Sequence, residues 1–267
     1  MSETRFETIR VARSSDRVAT LTLARPEVHN AFNEVMIAEM TAALTALDGD
    51  SSVRVVILDA LGKSFSAGAD LDWMRRMAAY GPAENLADAE GLAEMLRVLN
   101  GLSKPTIARV HGAAFGGGVG LLACCDIAVA VDSAVFSLSE VRLGLIPAVI
   151  SPYVIGAIGA RQARRYFLTA ERMTAARALE IGLVHHLVPA DGLDAAVHGI
   201  VTALMDGAPT ALAAAKELIF AVADRPAGAD VIADTARRIA AQRSSAEGRE
   251  GVAAFLEKRP ASWLEVR

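Results

Sequence analysis

The sequence predicts an α/β core followed by a helical C-terminal region, and three observations carry that prediction. Extended apolar runs alternate with segments of helical periodicity from Arg17 to Val131. Two of those runs, Val53–Leu58 and Thr106–Val110, lead into loops of small residues that open further helices. Beyond Leu143 the pattern is helical almost throughout. We place the core at residues 1–200 and the helical region at 201–267.

In chain order, Arg17–Ala24 sets Ala19, Leu21 and Leu23 against Val18, Thr20 and Thr22, the alternation of a strand. Arg25-Pro26 ends it, because proline lacks a ladder donor. Asn30 or Asn33 can cap the next helix, in which Phe32, Met36, Met40, Leu44 and Leu47 recur at helical spacing. Gly49 closes that helix, and Val53–Leu58 reads as a buried strand, so a parallel pair with a right-handed crossover is expected. Asp70–Tyr80 begins helical, Gly81-Pro82 interrupts it, and Asn85–Leu99 forms a helix with Leu86, Leu92, Leu96 and Leu99 inward. Lys104-Pro105 precedes the strand Thr106–Val110, a glycine-rich loop and its helix, and then the strand Asp126–Val131. Helices are expected over Pro152–Ile158, Arg161–Leu168, Thr174–Ile181, Leu193–Leu204, Pro209–Val222 and Ala229–Arg243, with Val184–Val188 extended between them. Leu143–Ala160 carries no charged residue, yet its prolines and glycines suit a buried wall or subunit surface better than a membrane span.

Apolar residues make up 53% of the chain and aromatics only 5%, so Ala, Val, Leu and Ile must build the core. The net charge of −4 provides no global field for nucleic acid. Cys124 and Cys125 are neighbours in an apolar run, better read as packed thiols than as a strained bridge, which suits a reducing, cytoplasmic compartment. The N-terminus shows no apolar segment of a secretory signal, and the histidines show no metal-ligand spacing. No nucleophile elbow or dinucleotide fingerprint appears.

The chemistry gathers in two loops. His111–Gly120 reads His-Gly-Ala-Ala-Phe-Gly-Gly-Gly-Val-Gly, and glycines at a helix start leave backbone N–H groups approachable beside the positive end of the helix dipole. Such hardware suits an anion, either a phosphate or an oxygen that becomes negative during reaction. Lys63–Asp70 is a second loop of small residues entering a helix, so two N–H groups can converge on one oxygen.

The pairing resembles the enoyl-CoA hydratase/isomerase (crotonase) superfamily. The motifs that carry the resemblance are Ser66-Ala-Gly-Ala-Asp70, Phe115-Gly-Gly-Gly118, Cys125-Asp-Ile127, Glu140 before Gly144-Leu-Ile-Pro147, Leu168-Thr-Ala170, Ala178–Val184 and Glu250–Arg259. The resemblance implies a ClpP-like spiral of β-β-α units with a helical trimerisation region. It further implies an acyl-CoA substrate, no cofactor, and a homotrimer or a dimer of trimers. Neither nucleic acid nor membrane is expected as a partner.

By the resemblance, the N–H groups of Ala69 and Gly117 hold the thioester oxygen of an enolate, and Glu140 is the catalytic carboxylate. Hydratases of the family commonly carry another glutamate at the position of Gly120, so this chain departs from the pattern there. The resemblance places Arg25 toward the CoA phosphates and the Ala67–Asp72 backbone, including Gly68, Asp70, Leu71 and Asp72, at the adenine end. Phe255 and Lys258 then reach in, from a neighbouring subunit in the family's arrangement. Gly116 and Gly120 complete the substrate-contacting glycine loop. The run Ser139–Tyr153 is similar to bacterial 3-methylglutaconyl-CoA and isohexenylglutaconyl-CoA hydratases, with Val149, Ile150 and Pro152 forming a bulkier acyl wall. A second substrate carboxylate needs a cation, and Arg75, Arg76 and Arg142 are the candidates. The expected activity is hydration of a branched, 3-methylglutaconyl-type enoyl-CoA. A Δ3,Δ2-enoyl-CoA isomerase using Glu140 alone is the alternative, and a non-catalytic acyl-CoA- or RNA-binding protein the second. Glu140 paired with Arg142 on the surface is the reading without chemistry.

Overall fold

A computed structural model describes residues 2–264. The chain divides into two compact units, one of residues 2–102 and 106–199, the other of residues 103–105 and 200–264.

The first unit opens with strands β1 (Ser2–Arg5), β2 (Ile9–Arg13) and β3 (Val18–Leu23), an antiparallel meander. The alternation read in β3 is realised, with Ala19, Leu21 and Leu23 fully buried. Sequence analysis places neither β1 nor β2: all four β1 residues are exposed and carry no apolar alternation, whereas β2 does alternate, with Ile9 and Val11 buried, over only five residues. Helix α1 (Glu34–Gly49) follows, and Asn33 caps it by accepting from the Met36 N–H at 3.0 Å. Phe32, Met36, Met40, Leu44 and Leu47 are all buried, as the helical spacing predicts. Asn30 does not cap α1; its side chain bonds to Arg25, Leu61 and Ser64.

From here a β-β-α unit recurs. β4 (Val55–Ala60) joins the large sheet, β5 (Ser64–Ser66) a small one, and α2 (Leu71–Met77) and α3 (Pro82–Gly101) complete the turn. β6 (Thr106–Val110), β7 (Ala113–Phe115) and α4 (Gly117–Cys124) repeat the pattern. β8 (Ile127–Val131), β9 (Val135–Ser137) and α5 (Ser151–Thr169) repeat it again. The unit ends with β10 (Met173–Thr174), α6 (Ala175–Glu180), β11 (His186–Val188) and the start of α7 (Leu193–Asp206). The large sheet has the order β1-β2-β3-β4-β6-β8-β11, parallel from β3 onward, and the small one β10-β9-β7-β5. The crotonase spiral is therefore present.

One reading is corrected. Leu86 points outward at 61% exposed, and Met95 takes the inward position beside Leu96 and Leu99. The helices expected over Pro152–Ile158 and Arg161–Leu168 are both present, as the two segments of α5 that meet at Gly159, whose φ of +73° and ψ of 155° are non-helical. The three-residue strands of the small sheet are too short to show a period in sequence.

In the second unit, α8 (Pro209–Val222), α9 (Ala229–Ser244) and α10 (Ala246–Glu257) pack together, following the end of α7. Proline at the first position of α8 tolerates the missing N–H, and the Glu247 carboxylate accepts from the N–H groups of Thr210 and Ala211. α10 has no counterpart in the sequence reading, since Val252, Phe255 and Leu256 are exposed and only Ala254 is buried on it. Both cysteines are buried thiols not joined in a disulfide. Among the described residues no helix is long and apolar enough to cross a membrane.

Candidate active site

Three neighbouring parallel strands of the small sheet, β5, β7 and β9, deliver their C-terminal ends side by side. Ligand sites form where parallel strands end, because the loops leaving them diverge and expose backbone groups. Ala69 follows β5, Gly117 follows β7, and Glu140 follows β9.

The loop after β5 is held by a short ladder to the segment before α1. Phe32 N–H donates to Gly68 O at 2.8 Å, Asp70 N–H donates to Phe32 O at 3.0 Å, and Ala67 N–H donates to His29 O at 2.9 Å. In this parallel bridge the Ala69 N–H faces away from Phe32, and it has no acceptor among the described residues. Buried Asn30 pins the same segment, donating to Leu61 O and Ser64 O and accepting from the Arg25 N–H. From the sequence, Asn30 offers itself only as a possible cap. Its value as a clamp depends on backbone groups distant in the chain.

The loop after β7 is fixed by Gly116 N–H donating to Ser137 O at 2.8 Å. Gly117 is the first residue of α4, so its N–H is one of the four that a helix leaves without an internal partner, and none of the described residues accepts from it. The two loops touch. Gly68 has φ +87°, and a Cβ there would sit 2.9 Å from Phe115 O and 3.5 Å from the Gly117 N. At Gly117 itself the ring of Phe32 occupies the space a side chain would need. Small residues here thus follow from loop-on-loop packing as well as from any ligand's approach.

Glu140 begins a 3₁₀ turn closed by Gly144 in the left-handed region. A Cβ on Gly116 would lie 3.2 Å from Glu140 Oε1, so the carboxylate lies against the loop that carries Gly117. Glu140 Oε2 is buried without a hydrogen-bond partner, and burial pushes the carboxyl above the ordinary glutamate range. The surface pairing with Arg142 is therefore corrected: the two form no ion pair, and Arg142 is exposed with no side-chain partner among the described residues.

Gly120 is buried in α4, and Ile150 fills the volume beside it; a Cβ at 120 would lie 2.2 Å from Ile150 Cγ2. No second carboxylate fits there without displacing Ile150. The remaining candidates divide. Arg25 is bound to Asp70 at 2.8 Å and to Ala31 O at 2.6 Å, so its guanidinium is largely committed within the protein. Asp70 also accepts from the N–H groups of Asp72 and Trp73; burial raises its carboxyl, and these bonds with Arg25 outweigh that and hold it below the carboxylate range. Leu71 and Asp72 are exposed, and Asp72 pairs with Arg75. Arg76 is held by Glu34 at 2.6 Å. Phe255 and Lys258 belong to the second unit, exposed at the end of α10.

Two contacts are not visible in the sequence. Arg172 stacks its guanidinium 5.8 Å from the centre of the Phe115 ring. Phe32 shapes the Gly117 turn. No residue pattern marks these, because each contact joins segments far apart in sequence. Among the described residues no cluster of His, Cys, Asp or Glu could hold a metal ion.

The arrangement sets two free N–H donors beside a buried acid. It can hold a developing oxyanion while the acid moves a proton. The profile of the enoyl-CoA hydratase/isomerase family matches residues 13–266. An enoyl-CoA hydratase from Shewanella pealeana superposes with a TM-score of 0.94 at 46% identity, covering 97% of each chain. The 2,3-dehydroadipyl-CoA hydratase of Escherichia coli is 33% identical over 246 residues, 91% of this chain and 93% of its own. A crotonyl-CoA hydratase of Syntrophomonas wolfei is 31% identical over 261 residues, 95% of this chain and 97% of its own.

Proposed function

Because the chain belongs to the enoyl-CoA hydratase/isomerase family, we propose that it hydrates a branched, 3-methylglutaconyl-type enoyl-CoA without a cofactor. The N–H groups of Ala69 and Gly117 bind the thioester oxygen, which gains negative charge as the enolate forms. Preorganised backbone donors do this without titrating, and one such donor is worth about 3–4 kcal/mol in other acyl-transfer sites. Glu140 removes a proton from water as it adds to the β-carbon, and then returns a proton to the α-carbon. A base whose basicity lies nearer neutral pH than an exposed glutamate suits both steps. The observation that carries the reading is the buried, unpartnered Glu140 Oε2 beside the loop of Gly117.

The substrate's distal carboxylate is assigned to Arg142, which stands two residues from Glu140 and lacks a partner, whereas Arg75 and Arg76 are occupied. Ile150 and Val149 wall the acyl chain. The protein works as a homotrimer or a dimer of trimers.

Ile150 in the place of a side chain at 120 favours one further reading, since a lone carboxylate also suffices for a Δ3,Δ2-enoyl-CoA isomerase. Turnover of 3-methylglutaconyl-CoA, crotonyl-CoA and a 3-enoyl-CoA distinguishes the two. Rapid hydration of the first is expected, with Glu140→Gln slower by about 10²–10⁴-fold. Double-bond migration in the 3-enoyl-CoA without water addition would transfer the assignment to isomerase, and no turnover with retained CoA-ester binding would overturn catalysis.

A further inference from the structure

α5 and α6 enclose an open cavity of about 450 Å³ lined by Arg161, Gln162, Arg164, Arg165, Leu168 and Arg177. Its arginines differ in their commitments. Arg165 is paired with Glu171, and Arg177 is held by Glu180, Tyr166 and Gln162. Arg161 and Arg164 are exposed and have no carboxylate partner among the described residues. On α5 the like charges Arg161, Arg164 and Arg165 stand three and four residues apart, a spacing that destabilises a helix unless something neutralises it. The concentration of positive charge stands out on a chain of net charge −4.

We infer that this cavity binds a phosphorylated small molecule carrying at least two anionic groups, at a site separate from the acyl-CoA chemistry. Guanidinium forks match phosphate oxygens two at a time, and Arg165 and Arg177, held in place by their protein partners, add fixed positive charge beside the two arginines that lack a carboxylate. Arg161 and Arg164 supply uncompensated charge. The volume exceeds what one phosphate fills, and exposed Leu168 offers an apolar edge for the rest of the molecule.

Titration calorimetry with inorganic diphosphate and orthophosphate at matched ionic strength tests the inference on the whole chain. Saturable diphosphate binding is expected, about tenfold or more tighter than orthophosphate. Arg161→Gln with Arg164→Gln should weaken it about tenfold or more, and Arg161→Lys with Arg164→Lys by less, since charge remains and the fork is lost. Both double variants should leave enoyl-CoA turnover and KM unchanged. The inference is overturned by an absence of saturable binding, by equal affinity for orthophosphate, by undiminished binding in the glutamine variant, or by a matching rise in KM for the enoyl-CoA. Its outcome is independent of which reaction Glu140 performs.

Discussion

Glu140 is the residue on which chemistry and stability conflict. An unfolded glutamate titrates near 4.5, and burial raises the folded one above it. The folded chain therefore keeps this proton to higher pH than the unfolded chain does. Stability is full below the unfolded value and falls as pH rises through the window up to the raised folded value. Glu140→Gln retains shape and removes the charge, so it should be more stable than wild type above that window, by on the order of 1 kcal/mol. Urea unfolding at pH 8 and pH 4 checks this: the gap is expected at the higher pH and should narrow at the lower. Equal stability at both would show that Glu140 is solvated in the folded state. The identity of this acid was legible in the sequence through its motif, whereas its unpartnered oxygen depends on Gly116 and the folded loop around it.

At the scale of elements, the Ala67–Asp70 loop shows how a motif can be read while its mechanics are missed. The small residues and the helix start were visible in sequence. That Asp70 caps α2 and binds Arg25 was not, because Arg25 lies beyond the reach of any local pattern. Asp70→Ala removes the cap and leaves a largely buried guanidinium unpaired, and should cost about 3 kcal/mol in chemical unfolding. Since the folded carboxyl lies below its ordinary value, its contribution is full above the unfolded value of 3.8 and is lost as pH falls through the folded one. The wild-type advantage over Asp70→Asn should accordingly shrink in acid. An advantage that persists unchanged at pH 2 would assign the effect to packing instead.

On the whole molecule, exposed apolar side chains concentrate in the helical region and, ahead of α5, at Leu143, Leu145 and Ile146. Phe255 is 83% exposed, Leu256 73% and Ile146 73%. Large exposed apolar groups on adjacent turns mark association surfaces. Sedimentation should give a species three times the 28.0 kDa chain, or twice that again. Phe255→Asp with Leu256→Asp should shift it toward monomer and reduce turnover; an unchanged sedimentation coefficient would remove α10 from the interface.

Sequence alone determined the family, the order of the main strands and helices, the two small-residue loops and the candidate acid, because these rest on local periodicity and on motifs within short segments. Tertiary structure decided what those residues touch. It placed the ends of β5, β7 and β9 side by side, turned the Ala69 N–H away from Phe32, committed Arg25 to Asp70, and filled the space beside Gly120 with Ile150. The physical reason is common to all four. Each is a contact between segments remote in the chain, and only the folded backbone fixes the directions in which their groups point.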